Sequence, residues 1–228
     1  ALIVINKPAG LVVHPAAGNP AGTLLNALLH HYPELVDLPR AGIVHRLDKD
    51  TTGLMVVARD LAAHTSLVNQ LQARTVKRQY QAVLNGVLTA GGTVDAPLGR
   101  HPVQRKKMAV TPGRGKEART HYRVLQRYSG HTLVRLDLET GRTHQIRVHM
   151  AHIGHALVGD PVYGGRLRMP KGLSEAQHET LRRFKRQALH AWQLGLDHPR
   201  SGEAMQWQAP LPDDMAHLCA TLKARADD

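Results

Sequence analysis

No apolar run in this sequence approaches the roughly 18–20 residues of a membrane-spanning helix. The longest, such as Leu2–Ile5 and Leu54–Val57, are strand-sized. Runs that short bury their side chains by pairing into a sheet, with helices packed against it. The apolar fraction of 42% suffices for such a core, and 228 residues suit one domain of ordinary size, or at most two small ones. The single cysteine, Cys219, excludes a disulfide framework and a cysteine-based zinc ribbon, and is compatible with a reducing cytosol. The chain starts at Ala1 and runs at once into Leu2–Ile5, with no basic segment leading into an apolar one. We therefore expect no signal peptide, and expect a piece whose preceding part is missing.

The spacing of apolar residues predicts the elements. Leu2–Asn6 is a strand closed by the turn Lys7–Gly10, and Thr23 caps a helix carrying Leu24, Leu25, Leu28 and Leu29 on one face. Ile43–Val44 and Leu54–Ala58 are strand pieces flanking a polar loop, His45–Gly53. Asp60 is the N-cap of a helix with Leu61, Val68 and Leu71, and Gln79–Val87 is a strand. Residues 89–119 are loop-rich, whereas Thr132–Glu139 alternates apolar and charged residues as a half-buried strand does. A short helix follows Gly141 over Thr143–Ile153, and a basic helix over Ser174–Gln187 opens with Ser174 and Gln177 at capping-box spacing. Ala188–Leu196 and Glu203–Trp207 form a hairpin around Pro199–Gly202, and Asp213–Lys223 closes the chain with Met215, Leu218 and Leu222 on one face. Without a regular βαβ rhythm, this is an α+β fold with a mixed, largely antiparallel sheet flanked by helices and loops.

Thirty Lys and Arg against eighteen Asp and Glu give a formal charge of +12 with histidine neutral. That balance is the footprint of a polyanion binder. With two Trp, five Tyr and one Phe, the chain cannot offer a row of stacking platforms, so phosphate contacts plus one stacking contact are expected. The cations cluster at Arg100–His101 with Arg105, Lys106 and Lys107, at Arg114, Lys116 and Arg119, and at Arg166, Arg168 and Lys171 running into Arg182, Arg183, Lys185 and Arg186. Few acids compensate them, which points to a groove tracking a phosphate backbone. Pro112–Gly115 with Lys116 lacks the spacing of a nucleotide phosphate loop.

Two segments carry chemistry. In His45-Arg46-Leu47-Asp48-Lys49-Asp50-Thr51-Thr52-Gly53, a polar loop sits between two buried strands, where reactive groups are usually mounted. Asp48 lies between Arg46 and Lys49, which favour its ionised form, and an ionised carboxylate serves as nucleophile or base. The same residues would also make an ordinary surface turn with local ion pairs. In Glu139–His149, a strand-to-helix switch with Arg142 and Arg147 would make an anion site, and the same residues would also make an ordinary N-capped helix with an exposed basic face. His149, His152 and Asp160 can be drawn as a metal set, but no His-Glu-x-x-His occurs, and satisfied or phosphate-facing histidines are the better reading.

The segment His45–Gly53 resembles the catalytic motif of the RluA-type pseudouridine synthases. Four further blocks follow that family's order: Ile5-Asn6-Lys7-Pro8-Ala9-Gly10, Arg78-Gln79-Tyr80 with Ala82, Gly141–His149 together with Gly159–Gly164, and Leu189-His190-Ala191. The resemblance implies the pseudouridine synthase fold and the isomerisation of a uridine in RNA: the N1–C1′ bond breaks, the base turns, and C5 rejoins the ribose. It implies no cofactor and no metal. By the resemblance Asp48 is the catalytic aspartate, Tyr80 lies against the target base, and Arg147 pairs with Asp48. Arg46 enters the stack where the uridine leaves, and Leu189 lines the base pocket. His45, Arg142, His144 and Gln145 belong to the substrate site. Arg105, Lys106, Lys107, Arg166, Arg168, Lys171, Arg182 and Arg183 face the RNA backbone. The implied partner is 23S rRNA, with the helix 69 stem-loop as target, free or within the large ribosomal subunit or its precursor. A cytoplasmic monomer away from membranes is expected. The S4-like RNA-binding domain that precedes the catalytic domain in similar members has no match here, so residues 1–228 are expected to be the catalytic domain. Two rivals remain: an RNA N-glycosidase using Asp48 and Asp50 as a carboxylate pair, and a non-catalytic rRNA-binding module.

Overall fold

The computed structural model describes residues 1–105, 107–167 and 169–223, so Lys106 and Arg168 of the expected RNA-facing set lie outside the described residues. In chain order the elements are β1 (Leu2–Lys7), α1 (Leu24–His31), β2 (Thr52–Ala58), α2 (Leu61–Gln72), β3 (Lys77–Asn85), β4 (Gly92–Asp95), β5 (Leu98–Arg100) and β6 (Met108–Val110). They continue with β7 (Arg119–Tyr128), β8 (His131–Leu138), α3 (Gln145–His152), α4 (Glu175–Arg183), β9 (Leu189–Asp197), β10 (Ala204–Gln208) and α5 (Asp213–Lys223). The chain divides into two compact units, Ala1–Arg78 with Ala191–Pro210, and Gln79–His190 with Leu211–Asp228. None of the described helices is long and apolar enough to cross a membrane.

In the first unit the strands run in the order β1-β2-β9, with β10 on β9. β1 is antiparallel to β2, Leu2 facing Ala58 and Lys7 facing Gly53. Every residue of β2 is buried, as its nearly unbroken apolar run demands. Leu54, Val56 and Ala58 pack with Ala63 and Leu67 of α2 and with Leu194 and Leu196 of β9. α2 starts where expected, since the Asp60 carboxylate accepts the Ala63 N–H at 2.8 Å. α1 starts from Thr23, which forms a capping box with Asn26. The expected strand at Ile43–Val44 is absent; Ile43 makes one isolated bridge to Val57.

The second unit has the antiparallel order β3-β8-β7-β4 and a separate hairpin, β5-β6. The α+β reading with a largely antiparallel sheet holds. The three short strands between residues 92 and 110 replace what the sequence presented as loop, and β7 covers residues for which the apolar spacing predicts no element. β7 escapes notice because it is mostly polar, with Thr120 and Tyr128 as its buried residues; its pairing with β8 and β4 makes it a strand, not its own pattern. α4 keeps the expected Ser174–Gln177 capping box but ends at Arg183, short of Gln187. Phe184 turns extended there and joins the core with Leu181, Ala188, Met215, Leu218 and Leu222. α5 spans the expected residues and buries the expected three.

Candidate active site

The loop His45–Gly53 is fastened at successive points, all within the first unit. At its start, the His45 Nε2 accepts the Val56 N–H at 3.0 Å. Burial, and then the charge of Arg78, push the His45 pKa down to about 3. The ring is therefore neutral, with its proton on Nδ1. This nitrogen of His45 anchors the loop to β2. Leu47 is buried beneath the loop, whereas Arg46 and Lys49 are exposed and Asp48 is half-buried. The Asp48 carbonyl accepts the Thr51 N–H at 3.1 Å, closing a turn directly after the carboxylate. Gly53 ends the loop with φ +111°, and a Cβ there would stand 2.3 Å from the Ala191 carbonyl oxygen, so only glycine allows the chain to enter β2 this close to β9.

Sequence reasoning missed the strongest fastening. Lys7, at the end of β1, is fully buried. Its Nζ donates to the carbonyls of Pro8 at 2.8 Å, Leu11 at 2.9 Å and Lys49 at 2.8 Å. A buried ammonium needs its protons satisfied, and the third of these bonds ties the residue after Asp48 to β1. The available signal was a lysine placed before Pro8 at the end of an apolar strand.

In the second unit, Arg147 on α3 is buried and makes a two-pronged pair with Asp160: Nε to Oδ2 at 2.7 Å and Nη2 to Oδ1 at 2.9 Å. The same Asp160 Oδ1 accepts the N–H groups of Val162 at 2.8 Å and Tyr163 at 3.0 Å. Burial alone would raise the Asp160 pKa, but the Arg147 bonds and charge, with those two N–H groups, hold it below the usual value. The Tyr163 ring lies 5.0 Å from the Arg147 guanidinium carbon. Its hydroxyl accepts the Met108 N–H at 2.9 Å and shares a hydrogen bond of 2.7 Å with His144 Nδ1. Asp160 and Tyr163 thus orient Arg147 and His144. In the sequence both stood out as members of the Gly159–Gly164 block, and Asp160 also as a candidate metal ligand, neither of which gives the orienting role.

Gln145 is buried, and its amide is fully used. Its oxygen accepts from the Thr140 hydroxyl and the Arg142 N–H, and its nitrogen donates to the Arg119 carbonyl and Thr120 hydroxyl. All four hydrogen-bonding positions are taken internally, so Gln145 shapes the turn beneath Arg142 and offers no bond to a ligand. His144 precedes α3 with φ 56°, left-handed, so the helix begins at Gln145 and not at Thr143. Arg142 is exposed and donates to the Glu117 carbonyl at 3.0 Å. Tyr80 on β3 and Leu189 at the start of β9 are both buried. The alternative metal set fails on its own atoms: both ring nitrogens of His149 bond within the fold, to Thr120 and Ala96, and Asp160 serves Arg147. Among the described residues no three His, Cys, Asp or Glu are grouped to hold a metal ion.

Of the expected RNA-facing cations, Arg105, Arg166, Lys171, Arg182 and Arg183 are exposed and Lys107 is half-buried. Arg182 pairs with Glu175 and Arg183 with Glu179, surface pairs that add little stability. Arg186, grouped with them by sequence, is a correction. It is buried, bonds Asp214 through Nε at 2.6 Å and Nη2 at 2.7 Å, and ties the end of α4 to α5.

Acid stability should follow the buried histidines. Burial lowers the pKa of His45, His131 and His149 below 6.5. A histidine depressed on folding contributes stability that is complete above its unfolded pKa and is lost as pH falls toward its folded one. The free energy of unfolding should therefore drop steadily from pH 6.5 toward pH 3, each such group adding a slope of up to about 1.4 kcal/mol per pH unit. Urea titrations at pH 7, 6, 5 and 4 measure this; a flat profile would contradict it.

The RNA pseudouridylate synthase family profile matches residues 1–152. The chain is 64% identical over 222 residues to the ribosomal large subunit pseudouridine synthase D of Pseudomonas aeruginosa strain PAO1, covering 97% of this chain and 69% of that protein. It is likewise 64% identical over 223 residues to the Escherichia coli K12 protein of that name, covering 98% of this chain and 68% of that protein. Among solved structures, human RNA pseudouridylate synthase domain containing 4 superposes with a TM-score of 0.75 at 29% identity, covering 97% of this chain and 90% of that one.

Proposed function

The chain belongs to the RNA pseudouridylate synthase family, and we propose that it isomerises uridines of large-subunit ribosomal RNA, with the helix 69 stem-loop of 23S rRNA as target. The relatives named for the ribosomal large subunit support that substrate. The observation that carries the catalytic assignment is the mounting of Asp48: a half-buried carboxylate on a loop pinned by His45, Lys7 and Gly53, between exposed Arg46 and Lys49. Such pinning keeps a reacting group in place without cost at the moment of reaction.

The target base is unreachable within a stacked helix, so it must leave the stack, and Arg46 takes its place. Asp48 supplies the ionised carboxylate that works on the nucleoside. The N1–C1′ bond breaks and the C5–C1′ bond forms; the proton on C5 leaves and N1 gains one, so nothing but a proton is exchanged. Tyr80 lies against the turning base, and Leu189 lines its pocket. Arg147, oriented by Asp160, supplies a fixed positive charge to the site. Arg142 and His144 face the substrate from the start of α3, and Gln145 holds the turn that presents them. Arg105, Lys106, Lys107, Arg166, Arg168, Lys171, Arg182 and Arg183 bind the RNA backbone. Residues 1–228 act as the catalytic domain, a cytoplasmic monomer working on 23S rRNA of the large subunit or its precursor.

The test is tritium release from a helix 69 stem-loop carrying 5-³H-uridine. Release without free uracil supports the isomerase. Free uracil with an abasic ribose would instead make the protein an N-glycosidase, and tight binding with no release would make it a binding module.

A further inference from the structure

We infer that His14 and Arg40, beside Arg46, form a phosphate site that grips the RNA backbone next to the nucleotide on which Asp48 acts. The inference rests on RNA being the substrate.

Three segments of the first unit converge around α1 and β2: His14 follows the residues bonded to the start of α1, the turn at Arg40 packs against both α1 and β2, and the loop of Arg46 is bonded to β2 through His45. The first is held by α1: Val12 and Val13 accept the N–H groups of Leu24 and Leu25 at 2.8 and 3.1 Å, which fixes the backbone just before His14. The His14 Nε2 is buried and has no hydrogen-bond partner. An orphaned buried polar atom costs about 1–3 kcal/mol, so it calls for a partner that arrives from outside.

The second segment is a turn. Arg40 and Ala41 are both left-handed, with φ 51° and 52°, followed by Gly42 at φ 79°. The turn is closed by Ala41 N–H to Leu38 and Ile43 N–H to Arg40, and it is pressed so closely on β2 that a Cβ on Gly42 would stand 2.0 Å from the Ala58 carbonyl oxygen. Left-handed geometry costs an L-residue roughly 1–2 kcal/mol, and two in series persist where the surroundings impose them. The turn leaves Arg40 exposed, with no carboxylate partner among the described residues.

The third segment is the start of the catalytic loop, where Arg46 is likewise exposed, unpaired with any described carboxylate, and two residues from Asp48. Burial first, then the charges of Arg46 and Arg40, depress the basicity of the His14 ring, so both guanidinium groups act on it. Two cations and an unsatisfied imidazole nitrogen are thus gathered without an acid to balance them. A phosphodiester balances them: its oxygens accept two N–H bonds from a guanidinium and one from the imidazole.

The experiment is a binding cycle between protein and RNA variants. Arg40→Asn removes the charge while suiting the left-handed backbone, so its melting temperature should match or exceed the wild type. His14→Phe keeps a ring in place. Each should weaken binding of the helix 69 stem-loop by roughly 10-fold, and Arg40→Asn should lower the salt slope by about one. Stem-loops carrying one neutral methylphosphonate at a time then locate the phosphate. At one position beside the target uridine, the wild type should lose the same affinity and neither variant should lose more. Unchanged affinity and salt slope in Arg40→Asn, or losses that add at every position, would overturn the site while wild-type tritium release left the isomerase standing. A wild type that neither binds nor isomerises the stem-loop would overturn both.

Discussion

Replacing Asp48 by Asn should abolish isomerisation while leaving a folded protein that still binds the stem-loop. The two side chains have the same shape, and two of the loop's fastenings run through main-chain groups that the change leaves in place: the turn bond runs from the Thr51 N–H to the Asp48 carbonyl, and Lys7 holds the Lys49 carbonyl. What is lost is the negative charge and the lone pairs that attack or abstract. A loss of roughly 1,000-fold or more is expected for a group of that kind. The single-turnover rate of tritium release measures it, with Asp48→Ala as a companion because it cannot revert by hydrolysis of the amide. Melting temperature and RNA affinity should stay near wild type. A variant that keeps activity within about ten-fold of wild type would remove Asp48 from the chemistry.

Replacing Asp160 by Ala should be the most damaging change to stability. The substitution takes from a deeply buried guanidinium the carboxylate that holds it at two points, and it frees the N–H groups of Val162 and Tyr163. Removing one partner of a buried pair costs about 3–5 kcal/mol. For a chain of this size that corresponds to a fall in melting temperature on the order of 10 °C. Turnover should drop with it, since Arg147 loses the partner that sets its plane. Adding Arg147→Met to Asp160→Ala removes the buried charge as well and should recover part of the stability but none of the activity. An Asp160→Ala protein that melts like wild type would mean that solvent reaches Arg147 freely.

Much of the architecture was legible locally. Thr23, Asp60 and Ser174 cap the helices they were expected to cap, and α5 runs over the residues its apolar spacing marked. The alternation in Thr132–Glu139 puts Val134, Leu136 and Leu138 on one face; the first two are in the core, and Leu138, at the strand's end, is half-buried. Caps and alternation act over three or four residues, so sequence spacing displays them directly. The same holds for the candidate catalytic segment, because its residues are contiguous and their chemistry is intrinsic to their types.

The errors share another cause. β7 is a strand because neighbours on both sides bond to it, and α4 stops early because Phe184 finds a place in the core. Arg182, Arg183 and Arg186 look alike in sequence, yet the first two are exposed and the third is buried against Asp214. Lys7 looks like any strand-end lysine until three carbonyls close around it. The sequence by itself determined the helix starts, the sheet class and the order of the catalytic blocks, since these follow from short-range pattern and residue type. Only the tertiary structure decided which charges are buried, which partner each one meets, and that Asp160 holds Arg147, because a buried charge is stabilised by whichever distant segments the fold brings against it.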